Sequence, residues 1–217
     1  MRKMSRPSRS FLVVTFAVAL AALARPVFAG PPLLCHPFDI GSARSLPWGT
    51  TGDWSQGSPD YDLSHLTADT TALLTATTPV VVRMETLRRA AIYASRDRAI
   101  AANLLSRLSE RTRGGDAYAW FDAAYLTETL RQIGALSYSG PFRDSAPQMA
   151  ALVKDVDGLA MIDKALLLRP EDAGLEFAAA LINADKNRAA YTDHARRARA
   201  GAARDELVAR NIGMVQH

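Results

Sequence analysis

The sequence predicts an all-α fold built from antiparallel helical hairpins, with an irregular segment at its N-terminal end. After residue 62, apolar residues recur at intervals of three and four, which is the period of a helix that buries one side. Proline, glycine and N-capping side chains divide this part into short helices, and closely joined helices pack as hairpins. Between residues 30 and 62, by contrast, no period is sustained.

The first 29 residues have the features of a secretory signal peptide. Four basic residues come before a 13-residue apolar run, Phe11 to Leu23, and Val27-Phe28-Ala29 resembles a small-residue cleavage site. The apolar run is shorter than the ~20 residues that a membrane-spanning helix needs. We therefore expect an exported protein, periplasmic or extracellular after cleavage near Ala29, whose mature chain does not span a membrane.

Removal of this segment changes the sign of the net charge. The segment holds five of the 26 basic residues and no acidic residue, which leaves 21 basic against 22 acidic residues and a net charge of −1. The basic isoelectric point of the whole chain, about 9.5, thus arises mostly from residues 1–29. It does not indicate binding to nucleic acid.

Residues 30–62 form a segment rich in proline, glycine and aromatic residues. The prolines and glycines interrupt any regular element. Large apolar side chains such as Phe38, Trp48 and Trp54 are nevertheless too frequent for a freely disordered tail. We expect this segment to pack across a helical domain formed by residues 63–217.

The helical domain begins with a weak helix over Leu63 to Ala76, which a break at Thr78-Pro79 ends. Apolar stripes from Val80 to Ala94 and from Ala101 to Leu108 then predict two helices joined by a turn near residues 95–97. These two helices make an expected hairpin.

The next helix should be the most buried one, because residues 117–133 are apolar on most sides. Asp116 is its expected N-cap, and Gly134 is expected to end it. After a loop over residues 136–144, Ser145 and Gln148 have the spacing of a capping box, which predicts a short helix.

The stretch from Asp157 to Ile182 predicts two amphipathic helices joined at Arg169-Pro170. Proline disfavours a helical conformation in the residue before it, and its own fixed φ suits the first position of a new helix. Beyond this stretch, Asp185 is the expected cap of a helix that ends near Arg199. Gly201 should separate that helix from a last one, which ends near Gly213.

Ala165 is followed five residues later by Pro170, and Gly158 and Ile162 stand seven and three residues before Ala165. This arrangement resembles the junction between two tetratricopeptide repeats. No second copy occurs about 34 residues away, so we expect packed hairpins that are either tetratricopeptide-like or an irregular bundle. The resemblance implies binding of a protein or peptide on the concave face of stacked helices.

The first candidate for chemistry is Cys35-His36. These residues match the second cysteine and the histidine of a c-type haem motif, C-x-x-C-H, but Pro32 stands where the first cysteine belongs. Attachment of haem through one cysteine is the minority interpretation, and a packed or surface thiol is the more typical one. Since Cys35 is the only cysteine, an internal disulfide is excluded.

A metal site is the second candidate, because several oxygen and nitrogen ligands lie within 30 residues of one another: His36, Asp39, Asp53, Asp60, Asp62 and His65. None has diagnostic spacing. Aspartates in a segment rich in glycine and proline usually cap turns, so we expect no metal.

Five arginines near the C-terminal end are a third candidate: Arg196, Arg197, Arg199, Arg204 and Arg210. They could bind an acidic partner. Asp193, Asp205 and Glu206 are interspersed among them, however, and such a mixture is more typical of a solvated helix face.

No motif of nucleophilic, metal-dependent or phosphate-binding catalysis occurs, so we assign no catalytic residue. We expect a non-enzymatic module or scaffold that binds a protein or peptide. Candidate contact residues are Cys35, His36, Asp39, Trp48 and Trp54. Two alternatives stay open: a cofactor- or metal-binding envelope protein that uses Cys35-His36, and an all-α envelope enzyme, which would need a buried carboxylate in a groove. The sequence does not indicate an oligomeric state.

Overall fold

The computed structural model describes residues 30–49, 52–137 and 140–215, and the predicted signal peptide lies outside these ranges. Within them the chain forms nine α-helices and no β-strand, which confirms the all-α class. The helices are α1 (Leu66–Leu73), α2 (Val80–Ala94), α3 (Arg98–Arg111), α4 (Ala117–Ala135), α5 (Ala146–Val153), α6 (Gly158–Leu168), α7 (Ala173–Asn183), α8 (Arg188–Ala202) and α9 (Glu206–Asn211). Short 3-10 helices occupy Leu63–His65, Thr112–Gly114 and Ile212–Met214.

Helix α4 lies at the centre of the fold and packs on α2, α3, α5 and α6. It runs antiparallel to α6. The start of α6 meets α4 at Gly158, where an added Cβ would collide with the Glu128 side chain. Beyond the end of α6, the Arg169 guanidinium lies 4.4 Å from the ring centroid of Tyr118, near the start of α4.

Helices α7 and α8 form the most extensive helix pair of the described chain. They are antiparallel, because Gly201 near the end of α8 faces Ala173 at the start of α7. The helices predicted within Asp157 to Ile182 are both present as α6 and α7, and they touch each other. Each packs more extensively elsewhere, α6 on α4 and α7 on α8. The resemblance to tetratricopeptide repeats stays a prediction.

The connection between α6 and α7 differs from the prediction that Pro170 begins the second helix. Helix α7 begins at Ala173, and the Asp172 side chain caps it by accepting hydrogen bonds from two backbone N–H groups. Pro170 therefore lies in the connection itself. The next residue, Glu171, has a φ of 71°, in the left-handed region that residues with a side chain seldom adopt.

Two predicted caps are also wrong. Asn187 rather than Asp185 caps α8, since its side chain accepts from the backbone N–H groups of the second and third residues of that helix. The Ser145 hydroxyl makes no cap hydrogen bond for α5 and donates instead to the Phe142 carbonyl oxygen. Its backbone is already helical, so the hydroxyl points away from the expected N–H groups.

Two glycines that were predicted to end or separate helices lie inside them. Gly134 is within α4 and packs against α5, where an added Cβ would lie 2.9 Å from backbone atoms of Ala150. Gly201 is within α8, where its Cβ would lie 2.5 Å from that of Ala173. Both glycines serve the close approach of two helices.

The most completely buried helix is α2 and not α4 as predicted. Every residue of α2 except Arg89 is buried, including the charged Arg83, Glu85 and Arg88. Thirteen of the 19 residues of α4 are buried. The sequence did not indicate this burial, because charged residues usually face water. In α2 they are buried and paired with one another or with residues of other helices.

Candidate partner-binding groove

A cluster of charged side chains on α2, here called the polar clamp, consists of Glu85, Arg88 and Arg89. The Arg88 Nε and Nη2 atoms each donate to Glu85 at 2.8 Å, and Arg89 Nε donates at 2.6 Å. Burial favours a raised pKa for Glu85, but the hydrogen bonds and charges of Arg88 and Arg89 outweigh it and hold the pKa below its usual value. Glu85 is therefore a buried carboxylate stabilised by two guanidinium groups.

The polar clamp holds residues 30–62 against the helices. Glu85 Oε2 accepts from the Phe38 N–H at 3.1 Å. The clamp arginines donate to backbone carbonyl oxygens of Leu34, Leu46 and Trp54. Hydrogen bonds to ionised groups are worth about 1.5–3 kcal/mol each, so the segment is fixed by its backbone as well as by its apolar side chains.

Three of the predicted contact residues lie around Arg88. Trp48 lies 4.9 Å from its guanidinium, measured to the ring centroid, and Trp54 offers its carbonyl oxygen. Burial raises the pKa of the half-buried Cys35 thiol, and the charge of Arg88 opposes that rise. Cys35, Trp48 and Trp54 thus help to fix the N-terminal segment on α2. Their predicted role in binding a partner stays a prediction.

The other two predicted contact residues, His36 and Asp39, lie toward the C-terminal helices. His36 lines a small cavity of about 150 Å³ together with Tyr191 and Met214. The backbone of Asp39 exchanges two hydrogen bonds with the Asn211 side chain. Among the described residues no group of three histidine, cysteine, aspartate or glutamate side chains could hold a metal ion.

A larger feature is a groove of about 950 Å³ between α6 and α8, with Glu176 of α7 among its lining residues. The apolar part of the lining includes Leu166, Leu167 and Ala200. Leu167 is 77% exposed, and the next residue, Leu168, is 42% exposed. They are the exposed large hydrophobic side chains of the part of the chain that the structure describes.

The charged lining of the groove divides between two sides. Asp163 and Glu171 belong to the α6 side, and the α8 side carries arginines: Arg196, Arg197 and Arg204. All five are exposed. We call these two sets the acidic wall and the basic wall.

At Glu176 the groove contains a buried carboxylate. Glu176 Oε2 lies 2.6 Å from Nδ1 of His194, and Arg197 donates to Oε1 at 3.3 Å. Its side chain is 4% exposed, so both partners hold it beneath the groove surface. No local pattern indicated this contact, because Glu176 has the position of an ordinary acidic residue in the first turn of a helix and His194 lies 18 residues later.

The arginine cluster noted in the sequence is divided by the fold. Its three members in the basic wall line the groove, whereas Arg199 donates to the Val215 carbonyl oxygen and Arg210 pairs with Glu206. Arg196 and Arg197 also pair with Asp193 on their own helix. Arg204 forms no ion pair with any described residue.

A second buried ion pair lies away from the groove. Arg83 donates from Nη1 to both carboxylate oxygens of Asp122, at 3.0 and 2.8 Å, and Arg111 approaches Asp122 at 3.4 Å. Burial raises the pKa of Asp122 to about 6, against the opposing charges of the two arginines. This pair joins α2 to α4.

Comparison of the chain with family models, with curated proteins and with solved structures found no match. Among the described helices, none combines the length and the apolar character needed to cross a bilayer.

Proposed function

We propose that this chain is an exported helical module that binds another protein or a peptide in the groove between α6 and α8. The observation that carries the proposal is the exposed Leu167 in the lining of this groove. Exposed apolar side chains that adjoin a groove and have a polar rim are typical of protein interaction sites. Transfer of one leucine from water to an apolar contact is worth about 1.5–3 kcal/mol.

The groove is suited to a helix or an extended chain. It lies between two helices, as in proteins that receive an amphipathic helix in a hydrophobic groove. Its lining comes from residues 163–204, so the described part of the N-terminal segment contributes nothing to it. The segment packs on α2 instead, through the polar clamp, and leaves the groove open to a partner.

Substitution of Leu167 by aspartate should abolish partner binding without unfolding the protein. At 77% exposure the change affects stability by no more than about 0.5 kcal/mol, but it places a carboxylate in the apolar part of the interface. We would use the tagged protein as bait in an envelope extract of its own host and quantify the recovered proteins. A partner should be enriched on the wild-type bait by at least about tenfold over Leu167→Asp.

The matched control is Ala68→Asp, an exposed position on α1, which packs on α2 and α3 away from the groove. This bait should recover the same partner as the wild type. Equal recovery on all three baits, or recovery of nothing, would contradict binding through the groove.

A second candidate function is acid–base catalysis in the same groove, for example on a wall polymer. It is favoured by one observation, the contact of the buried Glu176 carboxylate with His194. Substitution of Glu176 by glutamine separates the two candidates. Catalysis would lose at least about 100-fold in rate on a wall-polymer substrate, whereas partner capture through Leu167 would persist.

A further inference from the structure

We infer that the partner received by the groove is a second copy of this chain, so that the protein forms a symmetric dimer through α6 and α8. The inference rests on the proposed function, since it names the partner of that same surface. It follows from the placement of charge on the two sides of the groove.

The groove has both signs of charge, one on each side. Asp163 and Glu171 in the acidic wall form no ion pair with any described residue, and the same holds for Arg204 in the basic wall. Glu176 does not alter this balance, because His194 and Arg197 satisfy its carboxylate below the surface. An occupant that matches the groove must therefore present a basic edge to one wall and an acidic edge to the other.

A second copy of the same surface meets this requirement. A two-fold axis that runs parallel to the groove turns one copy over, so that its acidic wall faces the basic wall of the other and the reverse. Leu167 on α6 of each copy then faces the α8 side of the other copy, where Ala200 supplies apolar lining, and both contacts lose water on association. The one operation therefore pairs opposite charges on both sides of the interface.

Other occupants match only half of the surface. Residues 1–29 of this chain carry five basic residues and no acidic one, so they could satisfy the acidic wall alone. A small anion or an acidic peptide could satisfy the basic wall alone. Each of these would leave charges of the opposite wall facing a neutral or like-charged group, which opposes binding.

The test uses charge reversal in the full-length chain, expressed in its own host so that any processing occurs there. Arg204→Glu places like charges opposite the acidic wall of the second copy, and Glu171→Arg places like charges opposite the basic wall. Wild-type protein should sediment with twice the mass of one chain at about 10–100 μM. Each variant alone should dissociate at least about tenfold more readily.

Mixing the two variants supplies the decisive measurement. In the mixed dimer the glutamate introduced at position 204 of one copy meets the arginine introduced at position 171 of the other. The unchanged Glu171 and the unchanged Arg204 meet on the opposite side, so dimerisation should return toward the wild-type affinity. Both positions are exposed, and circular dichroism would verify that each variant is folded. Failure of the mixture to recover, or dimers that neither substitution weakens, would overturn the inference.

The dimer and the proposed function can fail separately. A wild-type protein that is monomeric at these concentrations but still captures a different protein in a Leu167-dependent way overturns the dimer alone. A monomer that also captures nothing overturns both.

Discussion

Substitution of Glu85 by glutamine will lower the free energy of unfolding by about 3–5 kcal/mol, because it leaves Arg88 buried without its counter-ion. Glutamine keeps the shape of the side chain and can still accept the Phe38 N–H, so the loss reports the charge. Both Arg88 and Glu85 have fully buried side chains, and water cannot replace the lost contact. Urea denaturation with linear extrapolation measures the change.

The matched control is Glu110→Gln. Glu110 pairs with Arg107 at the same three-residue separation as Glu85 with Arg88. The side chains of Glu110 and Arg107, however, are each at least half exposed to solvent. Such a surface pair contributes little, and the expected change is below about 0.5 kcal/mol. A loss of under about 1 kcal/mol for Glu85→Gln would show that the polar clamp does not hold the fold together.

The same substitution should change the response to acid. The pKa of Glu85 lies below its ordinary value of 4.5 in the folded protein, so the folded state binds the proton less tightly than the unfolded chain does. The stabilisation by the ionised carboxylate is therefore complete above about pH 4.5 and is lost as the pH falls through the folded-state pKa. The difference between wild type and Glu85→Gln should shrink over that range.

Replacement of Arg83 by methionine will destabilise the protein by about 3–5 kcal/mol at pH 8, since Asp122 is left buried with only the weaker contact to Arg111. Arg83 also donates to backbone carbonyl oxygens of Thr75 and Thr78, so the connection before α2 loses contacts as well. The control is the double substitution with Asp122→Leu. It removes both buried charges and should recover most of the lost stability.

The effect of Arg83→Met depends on pH with a defined sign. Asp122 has a pKa of about 6 in the folded protein against 3.8 ordinarily, and loss of the Arg83 charge raises the folded-state pKa further. The variant therefore keeps its proton to higher pH than the wild type. The loss of stability should grow as the pH rises above 6, and a loss that is equal at pH 5 and pH 8 would contradict the burial of an uncompensated charge.

Local patterns sufficed to predict most of the helices. The stripe from Val80 to Ala94 coincides with α2, and Asp116 caps α4 as expected. The errors arose where a neighbour distant in sequence decided the outcome. Glycine often ends a helix, which made Gly134 an expected helix end. In the structure Gly134 lies inside α4, because Ala150 of α5 occupies the space that a side chain would need.

The same limit applied to the candidate site. Glu85, Arg88 and Arg89 have the spacing of an ordinary exposed helix pair, and only the chain that covers them, about 30 to 55 residues earlier, makes them a buried clamp. The high exposure of Leu167 could not be predicted, because it stands in a run of three leucines, Leu166 to Leu168, within one helix. The groove depends on α6 and α8, which are separated in sequence by α7, so no local pattern indicated that the two walls face each other.

Photo-crosslinking at position 167 tests groove binding most directly. Leu167 would be replaced by p-benzoylphenylalanine in the native host, with the same replacement at Ala68 on α1 as the control, and irradiated cells would be analysed by mass spectrometry. Binding in the groove predicts a discrete adduct at position 167, whose peptides identify either a second copy or another protein, and no such adduct at position 68. The absence of any adduct at position 167, or the same adducts at both positions, would contradict it.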